Sequence, residues 1–230
     1  MLEGKYKGER NECPEITFEE FKKIKEKWRQ NSREAEKVVP GCLHLKVKDL
    51  QLLENKKWLN DEIISEYVSL LKEKIEESQN SPYSNQLKIL NSLQVATFFD
   101  RKKYDQNKVA KFFERQKITQ KSNIIMAIHK VNNWIFIKIN KNHLLIYDSI
   151  YRSNIDEYLR FPTLSNIYDF AKTFYEEEPV IKSISDFPQQ NNDYDCGMMM
   201  LCGIKDVVRN GLRWSFHQSE IPYRRVLIAK

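Results

Sequence analysis

No C-x-x-C pair occurs in this chain; its four cysteines stand singly at positions 13, 42, 196 and 202. No two histidines sit at zinc-ligand spacing, so no metal site is expected. No apolar run approaches the roughly 18 residues that span a bilayer. The opening MLEGKYKGERNE is charged where a secretory leader would be apolar. These absences point to a reduced intracellular protein, nuclear or cytoplasmic, with no membrane partner. Long runs of one charge are also missing. The 38 Lys and Arg and 32 Asp and Glu are interspersed and leave +6. That is a solvated mixed surface, with no nucleic-acid patch.

What the chain does have is apolar mass in a regular order. Of 230 residues, 41% are hydrophobic and 12% aromatic, enough for one well-filled core and short for two domains. Residues 1–40 read as a charged helical extension, with Thr17 as N-cap and Glu20 at capping-box spacing; 41–230 form the main domain. LHLKVKDL reads as extended, followed by a short helical turn. A helix from about Asn60 aligns Ile64, Tyr67, Val68, Leu71 and Ile75, with Asn60 or Asp61 as cap. Residues 78–91 read as a loop, LQVATFFD as a strand and 107–115 as a short helix. NIIMAIHKV, WIFIKI and HLLIY are strands whose near-continuous apolar character calls for helices on both faces. A helix over 164–176, a strand at PVIKSI and a final helix over 195–208, closed by Asn210-Gly211, complete the order. That order defines an α+β or mixed α/β domain without internal repeats.

In PQQNNDYDCGMMMLCGIKDVV, a polar loop leads to Asp195 as N-cap, and Cys196 and Gly197 open a buried helix. A thiol there meets the positive end of the helix dipole, which favours thiolate, and the free N–H groups can face an oxyanion. Gln190 is placed to add a side-chain amide to that hole. The plainer alternative is a buried cysteine after an ordinary polar loop. In WIFIKI-NK-NHLLIYDS, a two-residue Asn140-Lys141 turn pairs Ile139 with Asn142 and sets position 133 opposite Asp148. Directly opposed residues have Cβ atoms about 5 Å apart, the reach at which an acid orients a base. A strand-end Asp that merely caps a turn is the common alternative.

WLNDEIISEY, the NW…YDS hairpin, PQQ…DCG and the closing SFHQSEIPYRR, in that order, resemble the SUMO-specific (sentrin-specific) cysteine protease family over residues 43–228. The resemblance implies a papain-like α+β fold: a central mixed sheet flanked by helices, with the nucleophile at a helix N-terminus. It implies a monomer that cleaves after the C-terminal Gly-Gly of SUMO or another ubiquitin-like protein, without cofactor. Cys196 matches the nucleophile, Asp148 the acid that orients the base, and Gln190 the oxyanion-hole amide. Trp58 and Trp134 match two indoles that roof a tunnel for the Gly-Gly tail, and Asp61 a contact with the ubiquitin-like body. For both tryptophans, ordinary core packing is the alternative.

The family's base stands immediately before the second Trp, and here that residue is Asn133. An amide has no basic nitrogen at neutral pH and cannot take the thiol proton. His129, four residues upstream on the same strand, is expected about 13 Å away at roughly 3.3 Å per residue. His143 falls at the far end of the hairpin; His44 and His217 lie outside it. Asn133 therefore reads as a natural loss, an engineered His-to-Asn change, or a weak site working with His129 or water. The expected function is an impaired peptidase of this type. The rivals are a non-catalytic SUMO-binding pseudoprotease and a protease for another ubiquitin-like modifier.

Overall fold

In the computed structural model, the described residues are Lys23, Glu26, 45–77, 86–100, 104–211 and 213–228. Of the expected N-terminal helix, only Lys23 and Glu26 fall among them; both are helical and exposed. The rest of that segment, with Cys13, Cys42 and His44, lies outside the described residues.

Five strands form one mixed sheet in chain order: β1 (Leu87–Leu90), β2 (Asn123–Lys130), β3 (Asn133–Ile139), β4 (His143–Tyr147) and β5 (Val180–Ser183). The outer pairs are parallel and the two inner pairs antiparallel. Alternation along the central strands divides the core in two. On one face Ile125, Ala127, Trp134, Phe136 and Tyr147 pack against α1 (Asp61–Glu77) and α6 (Cys196–Asn210). On the other, Ile124, Met126, Ile128, Ile135 and Ile137 pack against α2 (Ser92–Phe99), α3 (Gln106–Arg115) and α5 (Pro162–Tyr175). Two short helices, α4 (Ile155–Leu159) and α7 (Ile221–Ile228), complete the fold. The α+β architecture with both sheet faces covered is the one expected from the apolar strands.

Three local expectations are corrected. LQVATFF is not a strand: it is α2. Asn91 and Gln94 form a reciprocal capping box, with Gln94 N donating to Asn91 Oδ1 at 2.9 Å and Asn91 N to Gln94 Oε1 at 3.1 Å. Val95 and Phe99 are buried at helical spacing, so period and cap outweigh the β-propensity of Val and Phe. The end of the expected 78–91 loop is β1, whose only strand partner among the described residues is β2, more than thirty residues downstream. The extended segment ends sooner than expected, at a turn over residues 47–48, and the short helical turn expected after it is the 3-10 helix Asp49–Leu53. Asn60 caps α1, accepting from Ile63 N at 3.1 Å while donating to Asp49 Oδ1 at 2.9 Å.

α6 lies close on the sheet because residue 203 has no side chain. A Cβ on Gly203 would stand 2.7 Å from both Phe136 Cε1 and Phe187 Cε2. Gly203→Ala is expected to destabilise the domain by roughly 1–3 kcal/mol, the usual cost of overpacking. A lower urea midpoint at an unchanged m-value checks it.

Candidate active site

The first turn of α6 is fixed by a buried ion pair. Asp195 stands at the N-cap position, but its side chain caps nothing, correcting the sequence expectation. Its backbone is already near-helical, and a carboxylate this deep needs a cation. Arg225 of α7, with no exposed surface, supplies it: Nη2 donates to Asp195 Oδ1 at 2.8 Å and Nε at 3.3 Å. The remaining guanidinium hydrogens go to Leu52 O, Glu54 O and Tyr194 O. Asp195 Oδ2 accepts from Asn192 Nδ2 and Gln218 Nε2 at 2.9 and 2.8 Å. Nothing local in the SFHQSEIPYRR segment marks Arg225 for this role. A carboxylate just before a buried helix is the signal that some cation must reach it.

Cys196 is the first residue of α6 and is 2% exposed. Burial pushes its thiol above the ordinary range, and the Asp148 charge adds to the rise. Backbone N–H groups of Trp134, Gly197 and Cys196 itself pull the other way without cancelling it. The expected bias towards thiolate is therefore reversed: desolvation outweighs the helix terminus. Gly197 lets the chain before α1 lie on this turn, since a Cβ there would be 3.1 Å from Leu59 Cβ.

Asn133 and Asp148 meet at the end of the sheet, by a register other than the expected one. Phe136 pairs with Tyr147 and Ile139 with Leu144, two residues out of step with an Asn140-Lys141 turn. The turn is Lys141-Asn142: Asn140 N donates to His143 O, and Asn140 Oδ1 accepts from Asn142 N and His143 N. A two-residue shift preserves the sheet face, so 133 and 148 still share one side. Asn133 Nδ2 donates to Asp148 Oδ1 at 2.9 Å. Asn133 is 8% exposed, and its buried Oδ1 has no hydrogen-bond partner among the described residues. Gln190 turns its carboxamide into its own loop, with Oε1 accepting from Ser149 Oγ at 2.6 Å and Nε2 donating to Asn192 O at 2.5 Å. That leaves one amide hydrogen for an oxyanion. Gln189 was missed in the sequence; its Nε2 donates to Asp148 O and its Oε1 accepts from Tyr151 N.

The two tryptophans differ. Trp134 is buried and donates its indole N–H to Leu59 O at 3.1 Å, while the adjoining Trp58 is 40% exposed. Asp61, half-buried at the start of α1, accepts from Ser92 Oγ at 3.0 Å. His129 is not upstream on the strand of Asn133. Val131-Asn132 turns the chain between β2 and β3, and His129 pairs with Trp134 and stacks on it, ring centroids 4.5 Å apart. The tight turn, with Asn132 at φ 58, was not read from the sequence. His143 lies at the far turn, and His217 precedes a short 3-10 helix. Among the described residues no group of three His, Cys, Asp or Glu side chains could hold a metal ion.

A buried cysteine opening a helix, beside a strand-borne polar pair, is the arrangement of a cysteine peptidase. Residues 57–230 match the model of the Ulp1 protease family, C-terminal catalytic domain, and the chain belongs to that family. It is 31% identical over 197 residues to the ubiquitin-like-specific protease ESD4 of Arabidopsis thaliana, covering 79% of this chain and 38% of the relative. It is 26% identical to a probable sentrin-specific protease 8 of Dictyostelium discoideum, covering 79% of this chain and 80% of that protein. The chain thus spans about two-fifths of the length of the Arabidopsis relative. The Ulp1 protease domain solved in complex with Smt3, the yeast ortholog of SUMO, superposes with a TM-score of 0.69 at 21% identity, over 94% of each chain.

Two outcomes are expected. Arg225→Met strands a buried carboxylate beside Cys196 and lowers stability by roughly 3–5 kcal/mol. Adding Asp195→Asn should recover part of it in denaturant titrations. Because the Cys196 thiol is raised, its iodoacetamide alkylation should be slow at pH 7 and still climbing above the ordinary thiol range of about 8.5. Peptide mapping of the adduct across a pH series checks it; a plateau by neutral pH contradicts the raised thiol.

Proposed function

We propose that this domain grips the C-terminal Gly-Gly tail of SUMO or another ubiquitin-like protein and, with Asn133 in the base position, cleaves it slowly or not at all. The carrying observation is the Asn133–Asp148 hydrogen bond. An amide holds the place from which an imidazole would be oriented by the acid. It donates one hydrogen bond as a histidine would, but it offers no basic nitrogen.

In this reading Cys196 is the nucleophile and Asp148 the orienting acid, with Gln190 beside the oxyanion. Trp58 and Trp134 cover the tail, and Asp61 meets the body of the modifier. With a base present, the thiol proton passes to it as sulfur attacks the glycine carbonyl. The leaving amine takes that proton, and water then hydrolyses the thioester. With Asn133 the first proton has no acceptor, while the covering indoles and the body contact are unaffected. The names of the relatives and the SUMO-bound neighbour support a SUMO-type partner. Free thiols at Cys196 and Cys202 fit a reducing nuclear or cytoplasmic compartment.

The test is cleavage of a SUMO fusion by the parent chain, by Asn133→His and by Cys196→Ala as blank, with tail binding measured in parallel. The expected result is binding by all three, very slow turnover by the parent, and a gain for Asn133→His of the order of 10³-fold, as when a triad member is restored. Ordinary parental rates abolished by His129→Ala would make His129 the base. Binding without any gain for Asn133→His would make the domain a pseudoprotease. Preference for a ubiquitin or NEDD8 tail would move the partner within the same class.

A further inference from the structure

Asp148 is held from two sides. Oδ1 takes Asn133 Nδ2 and the backbone N–H of Ile150, at 2.9 and 2.8 Å. Oδ2 takes one donor among the described residues, the hydroxyl of Tyr158 in α4, at 3.2 Å. Tyr158 has no exposed surface and lies outside the four motifs WLNDEIISEY, NW…YDS, PQQ…DCG and SFHQSEIPYRR. Lys130 Nζ sits 4.6 Å from its ring centroid, and Ser183 Oγ of β5 lies 3.5 Å from its hydroxyl. Lys130 is itself the residue paired with Asn133 across the β2–β3 hairpin. Burial above all, with the Asp148 charge also acting, pushes the phenol up to about 12, so at neutral pH it is a donor.

A carboxylate tethered through one oxygen can still turn about its broad Cβ–Cγ torsion. A second tether on the other oxygen removes that freedom. We propose that Tyr158 is a positioning residue, fixing the Asp148 carboxylate so that Oδ1 faces residue 133. The inference rests on the tail-protease reading for its chemistry, though its geometry stands in the chain as it is. The rival is a core tyrosine whose hydroxyl merely finds an acceptor. Tyr175 is a matched control: equally buried, on α5, its hydroxyl donates to Ser122 O at 3.2 Å.

The experiment compares Tyr158→Phe with Tyr175→Phe. In the parent chain, the Asn133 side-chain NH₂ signals are assigned in ¹⁵N spectra by their loss in Asn133→Ser. Tyr158→Phe should shift those signals and speed their solvent exchange roughly tenfold, as a local hydrogen bond loosens. Tyr175→Phe should leave them in place even if it lowers Tm as much. In the Asn133→His background, Tyr158→Phe should cut kcat roughly tenfold with KM unchanged, as for a misplaced acid. Unmoved Asn133 signals, or the same response from Tyr175→Phe, overturn the proposal. If Asn133→His does not cleave, the protease reading fails, and the amide signals alone decide the role of Tyr158. Should Tyr158→Phe not fold, the parent gives a second reading. A slowly exchanging Tyr158 hydroxyl proton with a cross-peak to the Asn133 Nδ2 protons is expected, and its absence overturns the proposal.

Discussion

Arg225 carries its charge into a dry interior and meets Asp195 there, one residue before Cys196. Taking two ions out of water costs several kcal/mol each, and the pairing offsets this only when the remaining donors and acceptors are also satisfied. That condition is met: Nε, Nη1 and Nη2 all donate, and both Asp195 oxygens accept. The same guanidinium therefore binds three separate pieces of chain: the 52–54 segment, the loop before α6 and the C-terminal helix. The 52–54 segment leads to Trp58 and Leu59, and Leu59 rests on Gly197. Cys196 and the Trp58–Leu59 segment are thus set by one interaction whose cation lies thirty residues downstream of its acid.

Two buried carboxylates flank Cys196, and they are compensated differently. Asp195 has a cation in contact. Asp148 has three neutral donors, from Asn133, Ile150 and Tyr158. A thiolate formed beside Asp148 would face a like charge in a desolvated site, which is why burial and Asp148 both act to keep the thiol protonated. An imidazolium bonded to Asp148 in place of the amide would oppose that balance with a positive charge. With an amide there, burial and the Asp148 charge favour the neutral thiol.

Most of the fold was legible because it rests on local pattern. The strands NIIMAIHK and WIFIKI are apolar at nearly every position, which only a sheet covered on both faces requires. The helices at 61–77 and 106–115 carry periodicity or caps visible within a few residues. What escaped was set by contacts distant in sequence, or by local signals in competition. β1 exists because β2 offers it an edge. LQVATFF has strand-like residue types, and a capping box decides against them. Asp195 looks like an N-cap until Arg225 reaches it. The β3–β4 register was misjudged by two residues, yet the meeting of residues 133 and 148 survived. An even shift moves a strand along its axis without turning its side chains over.

That survival bears on what the site keeps with an amide at position 133. In the proposed reading, tail recognition depends on where Trp58, Leu59 and Trp134 stand, and Leu59 and Trp134 are held by the Trp134–Leu59 hydrogen bond and the Leu59–Gly197 contact. None of these touches the side chain of residue 133. Interactions that hold ground state and transition state alike set affinity, whereas proton transfer to a base is felt only on the way to the transition state. A change confined to residue 133 therefore falls on the chemical step and leaves binding to the wall. The amide at 133 also keeps the one hydrogen bond that Asp148 needs there, so the buried acid is not left unpaired and the sheet end keeps its shape. A smaller apolar residue at 133 would have lost both.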